Sequence, residues 1–199
     1  MRIISGSAKG RRISGPGGSK KGRQSSIRPT SDRVRESIFN ILGPEAVVGN
    51  VLDLFAGTGA LGIESLSHGS HFATFVDHDR KAIGLIKKNL VACDFVGESL
   101  VFQKDIGRGF GFLGKIMPSL GYDLIFIDPP YHMNETTGYL ENLTSLNLIA
   151  DNGLVVIEDG SGVEFAQEIS GLFQIDSRRY GDTSVWIYNH GNNIDRKKR

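Results

Sequence analysis

The sequence predicts an α/β protein built on a mostly parallel, doubly wound sheet that closes in an antiparallel hairpin. Three observations carry this expectation. From residue 51 short apolar runs alternate with amphipathic stretches, the runs are mostly continuous rather than alternating in polarity, and the last two β-like stretches have no helix-length segment between them. Continuously apolar strands joined by helices belong to parallel sheets buried on both faces. Two strands joined without a crossover must run antiparallel.

Residues 1–30 are polar, with Ile3, Ile4 and Ile13 as apolar anchors, enough for a short hairpin lying against something else. Residues 14–26 contain nothing apolar beyond one proline and read as a flexible loop. Thr30 or Ser31 can cap a helix whose Val34, Ile38, Ile41 and Leu42 share a face and which stops at Gly43-Pro44. Val51–Phe55 is the first strand, followed by a glycine turn and a helix from about Gly62 to His68. Phe72–Val76 is the second, and its following helix carries Ile83, Ile86 and Leu90 on one side. Leu100–Phe102, Leu124–Ile127 and Leu154–Ile157 continue the alternation, and Leu172–Ile175 with Val185–Tyr188 form the final hairpin, giving seven strands. The chain thus divides into a basic extension over 1–44, an α/β domain over 45–190 and a basic tail over 191–199.

Charge supports that division. The net charge is +1, yet residues 1–35 carry ten Lys/Arg against the single acid Asp32, and Arg196 to Arg199 add four more cations. The body between them is strongly acidic. Clustered cations are the electrostatic footprint of a polyanion partner, while solvated tails would look the same by composition. No apolar run approaches the roughly 20 residues of a membrane span, and the start lacks a secretory apolar stretch. A single cysteine, Cys93, excludes an internal disulfide and suits a reducing, cytoplasmic setting.

Two motifs carry chemistry. In Asp53-Leu-Phe-Ala-Gly57-Thr-Gly59-Ala-Leu-Gly62 the first two glycines allow a sharp turn after a strand and a close approach of a ligand to the backbone. Asp77 follows twenty residues beyond Gly57, the spacing of a dinucleotide site in which an acid binds ribose hydroxyls. Asp53 separates the cases: beside a pyrophosphate it would repel, whereas beside S-adenosylmethionine it favours the cationic amino acid portion. The alternative is that Asp53 bonds amides of the turn itself.

The second motif is Asp128-Pro129-Pro130-Tyr131, directly after a strand. Two prolines fix the backbone and leave carbonyls without neighbouring donors. The amino group of a base is a poor nucleophile because its lone pair is delocalised. Asp128 and the Pro129 carbonyl can each accept an N–H from it, freeing that lone pair, while Tyr131 stacks on the ring, a contact worth roughly 1–3 kcal/mol. The alternative is a proline turn that only ends a strand. Asp105 can accept an adenine amine or be a solvated loop acid, Glu158 and Asp159 close a strand, Cys93 packs, and the five histidines show no metal-ligand spacing.

With both motifs in hand, the chain resembles the RsmD family of bacterial 16S rRNA guanine-N2 methyltransferases. The resemblance runs through Met1-Arg-Ile-Ile-Ser-Gly-Ser-Ala-Lys-Gly-Arg-Arg12, Ile27-Arg-Pro-Thr-Ser-Asp-Arg-Val-Arg-Glu36, the two motifs above and Arg179-Tyr-Gly-Asp-Thr183. It implies a seven-stranded class I S-adenosylmethionine methyltransferase fold and methyl transfer to a guanine N2 in the helix 31 loop of 16S rRNA, in the 30S subunit or its assembly intermediate. The expectation is a monomer, with no metal and no membrane attachment. By motif position, Asp53, Phe55, Ala56, Gly57, Thr58, Gly59, Asp77, His78, Asp105 and Ile106 would hold the cofactor, with Asp77 on the ribose and Asp105 by the adenine. Asp128, Pro129, Pro130 and Tyr131 would hold the target amine, and Arg2, Lys9, Arg11, Arg12, Arg28, Arg33 and Arg35 would meet RNA phosphates. The competing readings are an amino-methyltransferase of DNA or protein glutamine, a nicotinamide-dependent oxidoreductase, and a catalytically silent RNA-binding module.

Overall fold

A computed structural model describes residues 1–15, 32–116, 120–130 and 135–191. The chain enters as a hairpin bridged between Arg2 and Arg12, with Ile3 and Ile13 buried as its anchors. Helix α1 spans Asp32–Leu42, β1 Asn50–Leu54, α2 Ala60–His68, β2 Phe72–Asp77, α3 Arg80–Cys93 and β3 Ser99–Gln103. Then come β4 Tyr122–Ile127, α4 Thr136–Ser145, β5 Ile149–Gly160, β6 Glu168–Ile169, β7 Leu172–Tyr180 and β8 Thr183–His190. The expected cap residues Thr30 and Ser31, the 16–26 part of the expected loop and the tail beyond 191 lie outside the described residues.

All strands join one sheet in the order β3-β2-β1-β4-β5-β8-β7-β6, parallel from β3 to β5, with β8 antiparallel between β5 and β7. Among the described residues the count is eight rather than the expected seven. The extra strand, β6, is two residues long and pairs with the start of β7; a piece that short leaves no periodicity to read. β7 also runs to Tyr180, well past Ile175, because ladder bonds to β8 hold a segment whose exposed side chains are polar.

One apolar layer covers each face. Residues of α1, α2, α3 and the hairpin pack with Phe75, Phe126, Val156 and Ile187 on one side. α4 and the short 3₁₀ turns pack with Leu52, Ile125, Ile157 and Trp186 on the other. β1 is paired to β2 on one side and β4 on the other, so the chain reverses its winding at the β1/β4 boundary. In open α/β sheets this is where a crevice opens outside the C-terminal strand ends.

Candidate active site

The glycine turn forms one wall of that crevice. β1 ends at Leu54, and Phe55 follows with φ 59, a left-handed conformation that costs strain in an aromatic residue and is common at ligand sites. Gly57 and Gly59 have φ 55 and 75, left-handed conformations that glycine adopts without the strain a side chain would bring. Gly62, the third glycine, lets α2 press onto the sheet: a Cβ would lie 2.3 Å from the Phe75 ring.

Two carboxylates brace the turn from beneath. Asp77, at the end of β2, accepts from the Gly57 amide (2.8 Å) and the Asp79 amide (2.8 Å), with the exposed His78 ring 3.7 Å away. Asp53 is 1% exposed, and its Oδ2 accepts from the Gly62 amide at 2.9 Å. It therefore does bond an amide of the motif's own helix. Burial pushes its carboxyl up to about 8, offset in part by the Gly62 N–H and reinforced by the Asp77 charge. Thr58 is buried too; its carbonyl accepts from the Asn89 side chain of α3 at 2.8 Å.

Phe55, His78, Asp105, Ile106 and Pro130 line a single cleft at the C-terminal edge, bringing residues from the ends of four strands together. Asp105 starts a 3₁₀ turn by accepting from the Gly107 amide (3.1 Å), and Arg108 pairs with it at 3.3 Å. Asp128 directly follows β4 and is half-buried, Pro129 is buried and Pro130 lines the cleft; Tyr131 lies outside the described residues. Sequence reasoning missed Lys104, Gly107 and Tyr139, which line the same cleft. Tyr139 packs 5.3 Å from the Phe55 ring and donates its hydroxyl to Glu135 at 2.8 Å. Burial, then Glu135, push that hydroxyl up to about 12. Its place eight positions beyond Tyr131, inside a helix, carries no local signal. Among the described residues no group of three or more His, Cys, Asp or Glu is placed to hold a metal ion, and no helix is long and apolar enough to cross a membrane.

The family model described as Conserved hypothetical protein 95 matches residues 1–189. The Ribosomal RNA small subunit methyltransferase D of Haemophilus influenzae is 33% identical over 160 residues, covering 79% of this chain and 78% of that protein. The chain belongs to the RsmD family. YlbH of Bacillus subtilis is 38% identical over 188 residues, covering 94% of this chain and 98% of the relative. The solved YhhF structure of Escherichia coli aligns with a TM-score of 0.77 at 28% identity, covering 96% of this chain and 98% of that one. The class I methyltransferase fold expected from the sequence is thus the fold observed, with one added edge strand.

In this RsmD family member the basic residues of the extension separate into two groups. Arg2, Lys9, Arg11, Arg12 and Arg33 are exposed, and Arg28 lies outside the described residues. Arg35 departs from the expectation of a phosphate contact. Its side chain is 0% exposed and its Nε donates to Glu64 Oε2 at 3.1 Å. Its Nη2 donates to the Arg2 carbonyl at 2.6 Å and to Asp32 at 3.1 Å. Its Nη1 is buried as well, so the guanidinium presents no exposed face to RNA. Glu64 completes the arrangement by accepting from the Ile4 and Ser5 amides, both at 2.9 Å. Arg35, Ile38, Phe39 and Leu42 form an i, i+3, i+4, i+7 stripe on α1, a signal the sequence does contain.

Proposed function

We propose that this protein transfers a methyl group from S-adenosylmethionine to the exocyclic N2 of a guanine in the helix 31 loop of 16S rRNA. The observation that carries the reading is the position of Asp128-Pro129-Pro130: it directly follows β4 and its last residue, Pro130, lines the cleft that also holds Phe55 of the glycine turn. The relatives' names supply the substrate class, and the exposed hairpin cations suit a polyanion.

The residues fit the cofactor by chemistry. Phe55 and Ile106 offer apolar contact for a purine, Asp105 an acceptor for its amine, and Asp77 a carboxylate beside the turn for ribose hydroxyls. Burial disfavours the charged form of the Asp53 carboxyl, and a nearby ammonium group would favour that form. The bound cofactor supplies an electrophilic methyl on a positively charged sulfur. Asp128 and the Pro129 carbonyl accept the two N–H groups of the target amine, fix its direction and localise its lone pair. Alignment of the two reactants provides most of the acceleration, and the base must leave its stack to enter the cleft.

The deciding experiment incubates the protein with labelled S-adenosylmethionine and unmodified 30S subunits and maps the modified nucleotide. Label on a guanine N2 of helix 31 is expected; label on DNA or a protein glutamine, or none, overturns the assignment. In a parallel melt, S-adenosylhomocysteine raises the melting temperature and NAD does not. Stabilisation by NAD alone would point to the oxidoreductase.

Replacing Arg2, Lys9, Arg11 and Arg12 together by Ala is expected to weaken binding to 30S subunits while leaving S-adenosylhomocysteine affinity unchanged. The slope of log affinity against log salt should flatten by roughly 0.7–0.9 for each phosphate that the variant no longer neutralises. An unchanged slope would reduce these residues to a solvated face.

A further inference from the structure

The N-terminal hairpin and the glycine turn are joined by one buried side chain. Asn89 sits inside α3, is 1% exposed, and uses its amide fully. Its Oδ1 accepts from the Ser14 amide at 2.7 Å, and its Nδ2 donates to the Ser14 carbonyl at 3.0 Å and the Thr58 carbonyl at 2.8 Å. Asparagine is a poor helix former compared with Ala or Leu, and a buried amide must be satisfied, so this residue serves the two segments it bridges rather than α3.

One of those segments is the exit strand of the hairpin that carries Arg11 and Arg12, and Arg11 also reaches α3, donating to the Ala92 carbonyl at 3.3 Å. The other is the residue between Gly57 and Gly59, both left-handed and without side chains to fix the turn. A small displacement at Ser14 therefore reaches the Thr58 carbonyl through two hydrogen bonds of the Asn89 side chain.

We infer that Asn89 is a positioning residue that couples the RNA-facing hairpin to the cofactor turn, so that each ligand tightens the binding of the other. The inference rests on the methyltransferase reading above. Coupling of this kind is reciprocal, and typical cases amount to about 5–150-fold in affinity.

The test is equilibrium dialysis of labelled S-adenosylhomocysteine with and without saturating unmodified 30S subunits. In the wild type the subunits should tighten S-adenosylhomocysteine by about 5-fold or more. In Asn89→Ala that ratio should fall to about 1, the value for uncoupled sites. Ser14→Pro deletes the N–H donated to Asn89 Oδ1, and its ring also fixes φ there and restricts Ile13 before it; it should lower the ratio while leaving affinity without subunits near wild type, and it serves if Asn89→Ala does not fold. A general packing defect would shift affinity with and without subunits alike and leave the ratio intact, which would overturn the coupling. So would a wild-type ratio of unity with both ligands bound. Absence of any S-adenosylhomocysteine binding by the wild type would instead take down the methyltransferase reading, and the coupling with it.

Discussion

Asp128→Ala is expected to slow single-turnover methyl transfer on unmodified 30S subunits by roughly 10²–10³-fold, with folding and cofactor affinity nearly unchanged. Asp128 directly follows β4, half-buried, two residues before the cleft-lining Pro130, and is not itself part of the cleft wall. A charged hydrogen bond that tightens as the amine becomes nucleophilic is worth on the order of 3–4 kcal/mol in the transition state. Asp128→Asn keeps an acceptor oxygen but loses the charge and adds donors facing the amine, so it should fall between Ala and wild type. An Asp128→Ala enzyme with a near-normal rate would move the chemistry elsewhere in the cleft.

The other large effect is structural. Arg35→Ala leaves Glu64 buried without its cation and removes the donor that holds the Arg2 carbonyl, so α1, α2 and the hairpin lose their common tie. Breaking a buried pair from one side costs about 3–5 kcal/mol. For a chain of this size about 1 kcal/mol moves the melting temperature by roughly 2–4 °C, so a fall on the order of 10 °C is expected. At a temperature well below the melt, the salt dependence of 30S binding should match wild type, because Arg35 touches no phosphate. A variant that melts normally and binds with a flattened salt slope would return Arg35 to the RNA face. Glu64→Ala should be comparably destabilising, since it also orphans the Ile4 and Ser5 amides.

Arg2, Lys9, Arg11, Arg12 and Arg35 are indistinguishable as letters in a basic stretch, and only the docking of the hairpin against Glu64 buries one of them while exposing the rest. The stripe of Arg35, Ile38, Phe39 and Leu42 is readable in the sequence, yet a charged residue on an apolar face acquires meaning only once its partner, twenty-nine positions away, is in contact. Tyr139, Lys104 and Gly107 are each ordinary in their own segments; pairing of β3 with β2 brings Lys104 and Gly107 to the cleft, and packing of α4 on the sheet brings Tyr139 to Phe55.

What the sequence determined by itself was the alternation of strand and helix, the parallel sheet, the glycine turn and the acids that flank it. These features repeat every few residues, so periodicity and backbone requirements reveal them. What only the tertiary structure decided was which side chains share an environment: the burial of Asp53 against Gly62, the sealing of Arg35, the eighth strand, and the bridge through Asn89. Each depends on segments distant in sequence meeting at hydrogen-bonding range, and distances of that kind are set by packing of the whole sheet and its helices rather than by any local pattern.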